Sequence, residues 1–234
     1  MKKTLVMVSL VLASAFLLSS GSSWAAPLEY LVGQYVKIDT SAGLGNANGG
    51  GEFFLDISET TTGFDKKTDF VTFCLEMNEH ITASSFDTSP LYKIDSVSDN
   101  VYSGGPDSDP STLGYDKLSD ATQWVYYKYI HTDYFGTHTN TIANQIQEII
   151  WYLEDEITLS SMTVGAKGIY DNKVKNYFNS SYNNYVTALN LKYNSNGAIA
   201  QSQLVSTPVP EPATMFLFGT GLAGLAAVAR RRRH

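Results

Sequence analysis

The chain has 234 residues, 43% of them hydrophobic, with 15 tyrosines, 11 phenylalanines and a single cysteine. That length allows one domain with a full core, or two small ones. Six of the 16 cations sit at the two ends (Lys2, Lys3, Arg230 to Arg233), and 22 of the 23 acids lie within residues 26–207. The body, residues 26–207, therefore carries about −12 and no arginine. Such a surface repels nucleic acid and anionic lipid, which excludes both as partners of the body and suits an extracellular life.

Met1-Lys2-Lys3 is a short basic start. Thr4 to Leu18 is a continuous apolar run, followed by the small-residue stretch Ser19 to Ala26. Basic, then apolar, then small residues describe a secretory signal peptide. Ser23 and Ala25 occupy the small positions, so signal peptidase is expected to cut after Ala25, with Ala26 the next choice. No cysteine follows the apolar run, so lipoprotein processing is excluded.

Beyond the signal, Leu28 to Ile38 and Glu52 to Ile57 read as strands, separated by a Ser/Gly/Asn-rich loop. Phe70 to Asn78 reads as a buried strand holding Cys74 between Phe73 and Leu75. Ile81 to Phe86 and Pro90 to Val97 are shorter strand candidates. Ser98 to Asp116 is a long loop rich in Asp, Ser, Gly and Pro. The period then changes. Asp116 to Ile130 reads as a helix capped by Ser119 or Asp120. Thr141 to Ile157 is the clearest helix: Ile142, Ile146, Ile149, Ile150 and Leu153 share a face, and Gln147, Trp151 and Glu154 form the adjoining stripe. Gly168 to Leu191 reads as a third helix, and residues 195–207 as a polar linker. The expected fold is α+β, with an antiparallel, barrel-like β part first and helices packed on it. The expected domains are 1–25, 26–194, 195–207 and 208–234.

The tail has three parts. Pro210-Glu211-Pro212 is followed by the apolar, Gly/Ala-rich run Ala213 to Ala229 and then by Arg230, Arg231, Arg232 and Arg233. The run is at the short end for a spanning helix, and the arginines would stay cytoplasmic. This tail resembles the PEP-CTERM sorting signal of Gram-negative bacteria. The resemblance implies recognition by an exosortase-type sorting enzyme, transient anchoring in the inner membrane, removal of the tail, and delivery to the cell surface or its matrix.

Familiar catalytic patterns are missing. His80, His131 and His138 lack zinc-helix spacing, and there is no Gly-x-Ser-x-Gly elbow or phosphate loop. No cofactor or metal is expected. A Cys74–His dyad lacks local support, and Asp107/Asp109 and Asp116/Asp120 read as solvated acids before they read as calcium ligands. One cysteine in an exported chain still needs an explanation. A thiol can attack a side-chain carboxamide, expel ammonia and leave an internal thioester, if a glutamine is held against it in an apolar pocket.

Phe73-Cys74-Leu75-Glu76, then Ala121-Thr122-Gln123-Trp124-Val125-Tyr126, then Gln147-Glu148-Ile149-Ile150-Trp151 resemble bacterial surface thioester domains. These carry an aromatic-Cys segment, an apolar helix and a Thr-Gln-x-Ala-(Ile/Val)-Trp-like motif. Ile146 stands where that motif has threonine, and Ile149 where it has alanine. The resemblance implies a Cys74–Gln147 thioester with Phe73, Trp124 and Trp151 around it, and Gln123 and Gln145 as backup partners. The expected function is surface display with single-use covalent attachment to an amine or hydroxyl of a surface or matrix polymer, without enzymatic turnover. The alternatives are a non-covalent matrix or glycan-binding protein with an inert cysteine, and a secreted hydrolase.

Overall fold

The structure is a computed structural model and describes residues 28–41, 43–45, 50–77, 79, 81–82, 84–102, 116–178 and 185–206. These belong to one compact unit spanning 27–207; the segments expected as signal peptide and sorting tail lie outside the described residues.

Six strands make one antiparallel sheet: β1 (Tyr35–Asp39), β2 (Phe53–Ser58), β3 (Phe70–Thr72), β4 (Tyr92–Ser98), β7 (Val186–Tyr193) and β8 (Ile199–Ser206). Their order is β3-β2-β1-β4-β7-β8. β5 (Asn100–Val101) and β6 (Asp116–Lys117) form a separate two-stranded ribbon. Three helices follow the ribbon: α1 (Asp120–His131), α2 (Asn140–Leu153) and the short α3 (Val164–Ile169), which runs on into a π turn at Tyr170–Val174. Ser119 caps α1 by accepting the Thr122 N–H, and Thr139 caps α2 by accepting the Ile142 N–H.

The α+β class holds, but the sheet is not a closed barrel, and several expectations need correction. Leu28–Leu31 is a 3-10 turn ahead of β1. The expected strand at Ile81 to Phe86 does not form. The cysteine strand stops at Thr72 as a regular ladder. The expected third helix is only α3 and its π turn, and residues 186–193 are strand. The expected linker supplies β8. The last two errors share a cause. Asn194-Ser195-Asn196-Gly197 is a hairpin turn, with Gly197 at φ +70°, and it joins β7 to β8.

The core is split between two apolar clusters. One joins Phe73, Leu75, Ala188 and Leu204 to Trp124, Tyr126, Tyr129, Ile146, Ile149 and Ile150 of the helices. The other gathers Val36, Ile38, Leu55, Tyr92, Ile94, Leu189 and Leu191 around Cys74 and Trp151. Neighbouring residues of an extended chain point to opposite faces, so Phe73 enters the first cluster and Cys74 the second.

Candidate functional site

β3 and β8 are the two edges of the ladder, and they meet just beyond β3. Cys74 makes one isolated antiparallel bridge with Gln203. Two main-chain bonds flank it, Leu204 N–H to Phe73 O (3.1 Å) and Leu75 N–H to Ser202 O (3.1 Å). The complementary bonds of a regular ladder are replaced by side chains. Thr72 Oγ1 donates to Leu204 O at 2.6 Å, and Ser202 N–H is taken by Glu76 Oε2 at 2.7 Å. This leaves a seam with Cys74 and Gln203 facing each other across it.

Cys74 and Gln203 are both wholly buried. Gln203 Nε2 lies 3.8 Å from Cys74 Sγ. Thr72 Oγ1 lies 3.3 Å from Gln203 Oε1. Burial pushes the Cys74 thiol well above its ordinary range; the Gln203 contact opposes that shift and the charge of Glu76 adds to it. The resting sulfur is therefore a neutral thiol beside a neutral carboxamide.

Gln147 comes to the same cysteine from α2, on its backbone side. Oε1 accepts from Cys74 N–H (3.1 Å) and from Gly51 N–H (3.1 Å), and Nε2 donates to Cys74 O (2.8 Å). The pairing expected from sequence is thus shared between two glutamines. Gln147 is bound to the main chain of Cys74, while the carboxamide in contact with the sulfur is that of Gln203. Trp151, one turn after Gln147, shares the apolar cluster of Cys74. A Cβ at Gly50 would fall 2.5 Å from the Trp151 ring and 3.0 Å from Gln147 Cγ, so only glycine lets that strand pass over them.

The other expected pocket residues sit elsewhere. Phe73 packs edge-on against Tyr126 and Tyr129. Trp124 packs against Tyr134 and Phe135 in the helix-side cluster. Of the backup glutamines, Gln123 donates to Leu118 O (3.3 Å), and Gln145 lies against Gly165 of α3. His131 bonds Ser206 Oγ and His138 stacks on Tyr129, away from the thiol. His80, Asp107 and Asp109 lie outside the described residues. Among the described residues no group of three His, Cys, Asp or Glu side chains is placed to hold a metal ion, and no helix is long and apolar enough to cross a membrane.

Gln203 was hidden by composition. Gln201, Ser202 and Gln203 read as polar loop, yet all three are buried. The usable signal was Asn196-Gly197 flanked by Leu189, Leu191, Leu204 and Val205, a hairpin pattern that makes residues 199–206 a strand.

Comparison with known proteins adds to this. Residues 208–233 match the PEP-CTERM protein-sorting motif. The sorting motif covers Pro210, Glu211, Pro212 and the basic cluster Arg230 to Arg233, and it implies an exported protein processed at the membrane by an exosortase-type enzyme. No curated protein shows significant similarity to the chain. Two solved structures resemble its fold. The N-terminal thioester domain of fibronectin-binding protein SfbI from Streptococcus pyogenes is 16% identical with a TM-score of 0.43, over 77% of this chain and 95% of that one. The N-terminal thioester domain of a surface protein from Clostridium perfringens is 12% identical with a TM-score of 0.41, over 75% and 98%.

Proposed function

We propose that this exported protein carries an internal thioester between Cys74 Sγ and Gln203 Cδ, and that it uses the bond once to attach covalently to a surface or matrix polymer. The supporting observation is the Cys74–Gln203 pair itself, facing across a seam with Nε2 at 3.8 Å from Sγ. Facing residues in a non-hydrogen-bonded antiparallel pair have Cα atoms about 4.5 Å apart, a span that short side-chain cross-links can bridge. Gln147 is the weaker acyl donor. Its carboxamide already makes three buried main-chain bonds, and losing its nitrogen would orphan Cys74 O.

Cys74–SH and Gln203–CONH2 give the thioester and ammonia. An incoming amine or hydroxyl then takes the Gln203 acyl group and returns the thiol. The sulfur is wholly buried, so a nucleophile enters only when the seam opens, and burial otherwise protects the bond from water. Delivery to the surface follows from signal-peptide cleavage and exosortase processing of the tail.

Intact mass of the freshly exported protein tests the reading. It should be lighter than its processed sequence by one ammonia. Methylamine should add its mass on the peptide containing Gln203 and release a titratable Cys74 thiol. Full sequence mass with a free thiol would instead support the non-covalent matrix protein, and an adduct on Gln147 would return the bond to that residue.

A further inference from the structure

The thiol has a proton to lose before it can act, and its surroundings hold it there. Burial disfavours the thiolate, so attack on an amide needs a group that takes the proton as the bond forms. No imidazole contacts Cys74 among the described residues. The seam, however, contains one acid that the packing leaves half used.

Glu76 is only 1% exposed. Its Oε2 is anchored on Ser202 N–H at 2.7 Å, directly beside Gln203 in β8. Its Oε1 has no hydrogen-bond partner among the described residues. A buried carboxyl oxygen left without a partner is costly, and an uncompensated group of this kind needs a reason. Glu76 follows Cys74 by two positions, across a bend at Leu75, and lies close enough for its charge to act on the Cys74 thiol. Gln201 Nε2 donates to the carbonyl of Glu76 and fixes its main chain against β8.

We infer that Glu76 is the proton acceptor for Cys74 when the thioester forms, and the proton donor to the ammonia that leaves. The inference rests on the thioester reading. As Sγ adds to Gln203 Cδ, the S–H proton passes to Oε1 of the Glu76 carboxylate, directly or through one water. As the C–N bond breaks, the same proton passes to Nε2, and NH3 departs. The carboxylate is restored and no other reactant is consumed. In the later attachment the order reverses: Glu76 takes a proton from the incoming amine or hydroxyl and gives one to the departing sulfur.

The pH at which this works is set by the groups around the carboxyl. Cys74 and Glu79 are the titratable neighbours on its own segment. Glu156 approaches that segment by accepting Met77 N–H, and the β8 residues against Glu76, Gln201 and Ser202, are uncharged. Burial, then the charge of Glu79, push the Glu76 carboxyl up to about 8, against the lowering contacts of Ser202. The competent carboxylate therefore accumulates as pH rises toward and past 8.

The test follows ammonia loss by intact mass after refolding the full, unreacted chain at pH 6 to 9. In the wild type the rate should rise with pH across that range. Glu76→Gln keeps an acceptor for Ser202 N–H but cannot carry the proton; its rate should fall by about 100-fold or more and lose the pH rise. Glu76→Asp keeps the carboxylate at shorter reach, and should be slowed while retaining the rise. Urea unfolding of each variant separates this from damage to the fold, since a merely structural role would move the midpoint and not the pH profile. A Glu76→Gln protein that loses ammonia at the wild-type rate and with the wild-type profile overturns the proton-transfer role and leaves the thioester intact. A wild type that never loses ammonia overturns both.

Discussion

Gln147 treats Cys74 as a neighbouring strand would, accepting its N–H and donating to its C=O through one side-chain carboxamide. The bridge to Gln203 leaves the peptide groups of Cys74 pointing away from β8, toward the side where the β2–β3 ladder has already ended at Phe53 and Thr72. A glutamine on a helix supplies the missing peptide. Gln147→Ala would orphan both groups and Gly51 N–H as well. Each buried orphan costs about 1–3 kcal/mol, so with three of them the variant should lose at least about 3 kcal/mol. The check is a lowered urea midpoint at unchanged m value.

Cys74→Ala and Gln203→Ala should each abolish the mass deficit and leave a folded protein. Removing a buried sulfur leaves a small void, costing about 1–2 kcal/mol. Gln203→Glu should fail equally, because a carboxylate is a far poorer acyl donor than a carboxamide. Intact mass and a thiol titration on the three variants decide the matter.

Gly50→Ala should destabilise the body by about 1–3 kcal/mol, because the added methyl must displace the Trp151 ring or the strand above it. Thermal unfolding, with Trp emission as a second readout, measures this. An unchanged midpoint would show that the strand and the indole do not press on each other as described.

Stability should fall as the solution becomes alkaline. Glu154 accepts from Ser119 N–H through Oε1 (3.1 Å), while its Oε2 has no partner among the described residues. Burial raises its carboxyl from the usual 4.5 to about 7, with Asp116 adding to the shift and the contacts of Thr122 and Ser119 opposing it. The folded state favours the protonated form. Its contribution is therefore complete below about 4.5 and is lost as pH rises through about 7. Glu76 extends the same decline to about 8. Urea midpoints at pH 5.5 should exceed those at pH 8.5, and Glu154→Gln should flatten the lower part of the slope.

Glu211→Ala should leave a membrane-retained form that still ends at His234, and deleting Arg230 to Arg233 should impair processing too. The masses of surface and membrane fractions report the outcome. If both variants reach the surface without their tails, the sorting motif is not what is being read.

The sequence showed α2 clearly because its isoleucines recur at helical spacing and its one polar stripe carries Gln147. It showed that Cys74 is buried, because Phe73 and Leu75 flank it. It did not show β8. There the buried residues include Gln201, Ser202 and Gln203, whose polarity is satisfied by partners on other segments, such as Glu76, 125 positions from Gln201, and Asn190 across the β7–β8 hairpin. Hydropathy records side chains one at a time and cannot register such pairing. For the same reason Trp124 was assigned to the wrong cluster: a helix pattern gives a face, but not which of two cores that face meets.

The seam also sets how the chain is threaded. Cys74 and Gln203 are 129 positions apart, so a bond between them would tie most of the body into one covalent ring. Cross-links closing rings of that size restrict the unfolded chain by about 5 kcal/mol in the chain-entropy description. An attacking nucleophile would cut that ring as it took the acyl group. The anchored molecule would then be held to its target by β8 alone and would be easier to unravel than the free one. Capture would mark the protein for turnover by the same event that fixes it in place.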